Sequence, residues 1–266
     1  MDELSVISYN LSWATQSNNI IAPSSEKYFV RECYRHQPKK AKKNKLSWCT
    51  KNAANGIANT HYDILLIQEG IDKYTDLFVK KIIKKGFSCI KSKISSSAIL
   101  YIIYNHEKLG KLQEIYKGNL TKLIGIKGAR PFAVLYSKKK KLLIINVHFP
   151  HLDCPNFIRL LQKLNKKLHK ITVDLQISRI IMGGDFNDAY GCLIGNDMIL
   201  LGKRLMMNNI DIPQTCCWDH YSYSGDYIFD TMPQKYFGIV NGFSVDNAIN
   251  FDGYFGSDHL PVIAMN

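Results

Sequence analysis

Polar and ionisable side chains close the apolar runs of this sequence at Asn10, Glu69, His148, Asp185 with Asn187, Asp226, and Asp258 with His259. One acid after a strand is ordinary turn or capping chemistry. The set points to a shared purpose. Glu69, Asp258 and Asn10 offer hard oxygen atoms of the kind that hold Mg²⁺ or Mn²⁺, ions that keep several waters and bind through one or two carboxylates plus a substrate phosphate. Asp185 and Asn187 follow Gly183-Gly184, where the backbone can turn sharply and residues two apart face the same way. Asp258 stands beside the imidazole of His259, and Asp226 is suited to hold that ring in one tautomer or to stabilise its protonated form. Carboxylates, a divalent cation, histidines and an arginine can together activate water, neutralise charge on phosphoryl oxygens and assist a leaving oxygen, as phosphodiester cleavage requires. Cys33, His36 and Cys49 lack the paired spacing of a zinc site.

The elements that must position these groups are legible as periodicities. Leu4 to Tyr9 alternates as a strand that delivers Asn10, and Asp63 to Ile67 is an apolar run that ends in Gln68-Glu69. Asn52–Asn59 reads as a short helix, and Asp76–Lys85 as a surface helix with Gly86 at its C-cap. Ala98–Tyr104 and Pro131–Tyr136 are strands. Leu142–Phe149 pairs with the second across the tight Lys138–Lys141 connection and carries His148 at its end. Pro155 opens a helix with an apolar stripe of Phe157, Leu161, Leu164 and Leu168. Ile177–Met182 is a buried strand broken by Gly183-Gly184, and Tyr227–Phe229, Phe237–Val240 and Leu260–Ala264 are the last strands. Strands and helices mix without strict βαβ alternation, which predicts an α+β fold of two packed sheets covered by helices.

The strings Ser8-Tyr9-Asn10, Leu66-Ile67-Gln68-Glu69, Asn146-Val147-His148, Gly184-Asp185-Phe186-Asn187, Asp226-Tyr227-Ile228-Phe229 and Ser257-Asp258-His259-Leu260-Pro261-Val262 resemble, in this order, the endonuclease/exonuclease/phosphatase superfamily. That family includes deoxyribonuclease I, apurinic endonucleases, deadenylases, tyrosyl-DNA phosphodiesterases, sphingomyelinases and inositol phosphatases. The resemblance implies a four-layer αββα sandwich with two mostly antiparallel sheets, and Glu69 as principal Mg²⁺ ligand with Asn10 and Asp258 nearby. Asp185 would orient or deprotonate the attacking water, and Asn187 would contact the phosphate. His148 and His259, the latter paired with Asp226, would stabilise the phosphorane or assist proton transfer. Arg130, in Gly128-Ala129-Arg130-Pro131-Phe132, occupies the place of a phosphate-binding arginine. Two departures stand out: 58 residues separate Asn10 from Glu69, and Ser95-Ser96-Ser97-Ala98 replaces a Gly-Val or Gly-Ala step. No acid to partner His148 is evident in the sequence.

Composition narrows the substrate. Of 266 residues, 46% are apolar and 21% charged, enough for one sizeable core, so a single catalytic domain is expected with a basic insertion or long loop at about 16–51. The formal net charge is +13, and the segment 31–51 carries eight Lys/Arg against the single Glu32. A basic surface around an acidic metal centre suits a nucleic-acid backbone, DNA or RNA. Among Tyr9, Trp13, Trp48, Trp218 and Tyr221, the two tryptophans nearest motif residues, Trp13 and Trp218, are the candidates to stack on bases. The alternatives are a phosphatase or phosphodiesterase acting on inositol phosphates or sphingolipid, and an inactive relative that only binds nucleic acid. No run approaches the ~18 apolar residues of a membrane span. Seven scattered cysteines and the absence of a secretory-type start lead to the expectation of a soluble intracellular protein, cytoplasmic or nuclear, and a monomer.

Overall fold

The computed structural model describes residues 3–17, 30–31, 33–35, 37, 47–96, 98–193, 198–207, 214–217, 223–240 and 257–266. Along the chain run β1 (Ser5–Asn10), α1 (Trp13–Ser17), α2 (Trp48–Ala58), β2 (Ile64–Gly70), α3 (Asp72–Ile82), β3 (Phe87–Ser95), β4 (Ala98–Asn105), α4 (His106–Leu109), β5 (Leu112–Asn119), α5 (Leu120–Ile124), β6 (Pro131–Ser137), β7 (Leu142–His148), α6 (Cys154–Ile171), β8 (Arg179–Asp185), β9 (Met198–Leu200), β10 (Lys203–Leu205), β11 (Asp226–Asp230), β12 (Tyr236–Ile239) and β13 (Val262–Met265).

The long apolar runs become central strands. Every residue of β1, β6, β7 and β8 is buried, because each strand has neighbours on both edges and layers on both faces. Six strands pair in the order β12-β13-β1-β2-β4-β3 and five in the order β11-β8-β7-β6-β5, with β9 and β10 forming a separate hairpin. β1 with β2 and β7 with β8 are parallel; the other pairings are antiparallel. Val6, Leu66 and Leu100 from the first sheet and Val134, Ile145 and Met182 from the second share one apolar core. Ala53, Ala54, Ile57, Phe78, Val79 and Ile82 of α2 and α3 cover the outer face of the first sheet, against Ile7, Leu65 and Ile103. Phe157, Leu160, Leu164 and Leu168 of α6 join the core beside the second sheet; burying these four contributes roughly 6–12 kcal/mol before entropy is subtracted. The architecture is the expected αββα sandwich.

Several local expectations are corrected. β8 runs unbroken through Gly183-Gly184 to Asp185, because the parallel ladder with β7 continues to the His148–Asp185 pair. α3 starts and stops earlier than its periodicity suggested, and its C-cap is Ile83 in extended conformation rather than Gly86. In α6 the fourth buried position is Leu160, with Leu161 half-buried. Tyr9 is fully buried, so its ring is core and cannot stack on a base. Six cysteines are paired, as Cys33–Cys49, Cys154–Cys192 and Cys216–Cys217, and Cys89 is free. Nothing in their spacing announces these pairs. Trp218, Tyr221, His36 and most of the 16–51 segment lie outside the described residues.

Candidate active site

Both parallel pairs end at the same rim of the sandwich. Asn10 closes β1 beside Gln68 of β2, and His148 closes β7 beside Asp185 of β8. β11 runs antiparallel to β8 and begins with Asp226, directly opposite Asp185. Ser257-Asp258-His259 lead into β13, whose Val262 pairs with Ser8.

The backbone takes unusual conformations at this rim. A register shift between Ile67 and Gly70 breaks the β2–β4 ladder, and within it Glu69 adopts φ 55°; Ser12 and Asn187 both have φ 48°. Non-glycine residues in the left-handed region are uncommon and cluster at functional sites. Gly184 has φ 151°, and a Cβ there would lie 1.9 Å from the Val147 carbonyl oxygen, so only glycine allows β8 to pass β7 at this point.

Asp185 is the hub. Its Oδ2 accepts from Asn10 Nδ2 at 2.9 Å and from Asn187 Nδ2 at 3.1 Å, and its Oδ1 accepts from the Asn187 backbone N–H at 2.8 Å. The other Nδ2 hydrogen of Asn187 goes to the Phe149 carbonyl at 2.8 Å, and its Oδ1 accepts from the Tyr223 hydroxyl at 3.0 Å. His259 Nδ1 lies 2.9 Å from Asp226 Oδ2, while its Nε2 lies 3.4 Å from Asn10 Nδ2 and 3.5 Å from Cys216 Sγ. Glu69 Oε2 accepts from the Trp13 backbone N–H at 2.9 Å. His148 Nε2 is 3.6 Å from Glu69 Oε1, 3.5 Å from Asp185 Oδ2 and 2.9 Å from Arg130 Nη1. Since a guanidinium can only donate, that nitrogen of His148 is the acceptor.

Electrostatics separates the two histidines. Burial, then Arg130 and His259, hold His148 well below the ordinary imidazole value, so the ring is neutral. Burial also opposes charge on His259, but Asp226, with Asp185 and Asp258 behind it, outweighs burial and raises the ring well above that value. Burial and Asp226 raise Asp185; burial and Glu69 raise Asp258. Among the described residues, no lysine or arginine forms an ion pair with Glu69, Asp185 or Asp258. Glu69 with His148 and Asp185, and Asp185 with Asp226 and His259, are two groups compact enough for a cation.

No family model matches the sequence, and no curated protein matches it. Solved structures do match. A truncated Caenorhabditis elegans TDP2 is 14% identical over 99% of this chain and 97% of its own, with a TM-score of 0.63. An endonuclease/exonuclease/phosphatase family protein from Bacteroides thetaiotaomicron is 19% identical over 99% and 94%, with a TM-score of 0.59. D. rerio TDP2 complexed with single strand DNA product is 14% identical over 100% and 99%, with a TM-score of 0.57. The fold is that of the endonuclease/exonuclease/phosphatase superfamily.

Within this endonuclease/exonuclease/phosphatase fold, the structure brings Asn10, Glu69, Arg130, His148, Asp185, Asn187, Asp226 and His259 into one connected network. Asp258, buried next to His259 in the chain, feels the charges of Glu69 and His259 without a side-chain hydrogen bond to either among the described contacts. Trp13 touches Glu69 by its backbone, with its side chain on the surface. Not every residue of the motif strings does chemistry. Gln68 Nε2 donates to Asn146 Oδ1 at 2.8 Å, and Asn146 Nδ2 donates to the carbonyls of Ile67 and Tyr101, so this buried pair clamps one sheet to the other. Sequence reading missed Tyr223 and Thr215, whose Oγ1 accepts from the Gly225 and Asp226 backbone N–H groups. It also missed Cys216. None of the three closes an apolar run, so no pattern marks them.

Proposed function

We propose that this chain is a Mg²⁺- or Mn²⁺-dependent phosphodiesterase acting on nucleic acid, a single catalytic domain over 1–266 with a basic insertion at about 16–51. The observation that carries the reading is the buried acidic rim: carboxylates raised by burial and by one another, in no ion pair with a lysine or arginine among the described residues, beside one cationic imidazole and one neutral imidazole that Arg130 holds. Glu69, Asn10 and Asp258 would supply hard oxygen donors to such a cation, and Asp185 lies close enough to Glu69 to share it. When bound, the metal neutralises charge on a phosphoryl oxygen and acidifies a coordinated water.

The chain's own groups take the remaining roles. Asp185, with its raised proton affinity, orients the attacking water and accepts its proton. His259, held by Asp226, donates its Nε2 hydrogen to a phosphoryl oxygen. Arg130 donates to the phosphate or, through neutral His148, fixes the acceptor at that position. Asn187, which the resemblance assigns to the phosphate, here commits both amide hydrogens to Phe149 and Asp185, and its proposed role is to position Asp185. The net charge of +13 suits a polyanion, and the role proposed for Trp13, whose side chain is exposed, and for Trp218 is to stack on an unpaired base. A fold neighbour complexed with single strand DNA product supports nucleic acid over a small ester.

The test is a substrate panel in Mg²⁺ and in EDTA: single- and double-stranded DNA, RNA with a poly(A) end, an abasic duplex, a 5′-tyrosyl oligonucleotide, an inositol polyphosphate and sphingomyelin. Metal-dependent cleavage of a nucleic-acid substrate is expected. Turnover of only inositol phosphate or sphingomyelin would replace the substrate class, and silence on all would leave a binding protein.

A further inference from the structure

Cys216 and Cys217 sit where a phosphodiesterase site has no evident use for sulfur. Thr215 and Cys216 form a short bridge between Tyr223 and the His259 segment, with the Leu260 backbone N–H donating to the Thr215 carbonyl at 2.8 Å. This seats Cys216, fully buried, with its Sγ 3.5 Å from His259 Nε2, while Cys217 is half-buried and reachable from solvent. Both sulfurs lie near the ring nitrogen; the disulfide holds them together, and once it is reduced Cys217 must swing its sulfur away from Cys216 for all three to share one ion. Zn–S bonds of about 2.3 Å and Zn–N bonds of about 2.0–2.1 Å at a tetrahedral angle place sulfur and nitrogen about 3.5 Å apart. The observed Sγ···Nε2 separation matches that requirement without movement of Cys216 or His259.

We propose that Cys216, Cys217 and His259 form a soft-metal site, taking Zn²⁺ when the cysteines are reduced, and that occupancy blocks the site by capping His259 Nε2. Thiolates and imidazole select zinc over magnesium, so this centre is separate in chemistry from the oxygen donors proposed for magnesium, Glu69, Asn10 and Asp258. The disulfide between Cys216 and Cys217 closes the site to metal. A phosphine reductant opens it: phosphorus gives two electrons to the S–S bond and takes the oxygen of one water, whose two hydrogens go to the two sulfurs. Metal entry then releases the two thiol protons and the Nε2 proton of the His259 imidazolium. The blocking effect rests on the proposed role of His259; metal binding does not.

The experiment uses Co²⁺ as a spectroscopic probe on the full chain, oxidised and phosphine-reduced, because thiolate ligation gives an intense sulfur-to-cobalt absorption that oxygen ligands lack. The expected result is a one-to-one absorption in the reduced protein, absent in the oxidised protein, lost in Cys216→Ser and in Cys217→Ser, and displaced by Zn²⁺. Cys217→Ser, half-buried, covers the case in which Cys216→Ser fails to fold. In parallel, one equivalent of Zn²⁺ should abolish hydrolysis by the reduced wild type in excess Mg²⁺, with at least ~10-fold more needed for Cys217→Ser. No absorption in the reduced protein, or an absorption unchanged in Cys217→Ser, would overturn the site. A chain inactive on every substrate that still shows the cysteine-dependent absorption would overturn the functional reading while leaving the metal site standing.

Discussion

The sandwich buries charge at both ends, and the two ends handle it differently. Away from the rim, Arg179 at the start of β8 holds Asp230 at the end of β11 through Nε to both carboxylate oxygens at 3.1 Å and through Nη2 at 2.6 Å. Asn266 accepts from the same guanidinium, and the Met232 backbone N–H closes the carboxylate. Every charge there has a partner, and the cluster ties β8, β11 and the last residue together. At the rim, in the same two strands, Asp185 and Asp226 face each other with only imidazole and amide partners, and burial raises Asp185. A buried ion pair with every charge met holds a fold together; carboxylates that outnumber the one imidazolium beside them hold a position ready for something else.

That contrast is sharpest in mutants. His259→Ala should lower turnover by about 10²–10⁴-fold and lower the melting temperature as well, because buried Asp226 loses its imidazolium partner. Asp185→Asn should lower turnover by about 10²–10⁴-fold with melting temperature unchanged or higher, since burial already disfavours its charge. Arg179→Met should behave in the opposite way, losing about 3–5 kcal/mol in denaturant unfolding because Asp230 is left charged and unpaired, with turnover per folded molecule unchanged. A stable but inactive Arg179→Met would erase the distinction between the two ends.

A smaller effect is expected from pH. Asp185 and Asp258 hold their protons above the ordinary carboxylate range, so protons compete with the cation, and Mg²⁺ should raise the melting temperature more at pH 7.5 than at pH 5. In EDTA the histidines pull oppositely. His259, raised when folded, stabilises below the unfolded imidazole value of about 6.5, and that stability is lost as pH rises through its folded value. His148, lowered when folded, stabilises above that value, and its contribution is lost as pH falls. His259→Ala should therefore flatten the alkaline side of the stability profile and His148→Ala the acid side. The smallest change expected is Tyr223→Phe, which leaves Asn187 Oδ1 without its donor and should cost about 1 kcal/mol with a few-fold loss of turnover.

How much of this the sequence announces follows from what each residue must do. Asn10, Glu69, His148, Asp185 and Asp226 end or begin buried strands, and an abrupt change from apolar to ionisable is visible in one dimension. The fold followed from the same runs, because β1, β2, β4, β6, β7 and β8 are buried on both faces and read as nearly continuous apolar segments. β3 escaped notice because it is an edge strand whose Ser88, Lys91 and Lys93 dilute its pattern, and β5 is likewise an edge with half-exposed residues. Helix α3 was misplaced because its register is set by packing Phe78 and Ile82 on the sheet rather than by a glycine stop. The Arg130–His148 contact joins the residue just before β6 to the last residue of β7, and their meeting depends on the pairing of those strands. Cys216 and Tyr223 reach the rim from a loop, where tertiary contact alone assigns them a place.

The most direct test of the account compares wild type with Asp185→Asn on one end-labelled single strand, DNA and RNA in parallel, in Mg²⁺ and in EDTA. Cleavage by wild type in Mg²⁺, abolished by EDTA and reduced at least ~10²-fold in a variant that melts no lower than wild type, is the predicted result. Cleavage that persists in EDTA, or that Asp185→Asn retains in full, would contradict the assignment of this rim as a metal-dependent active site.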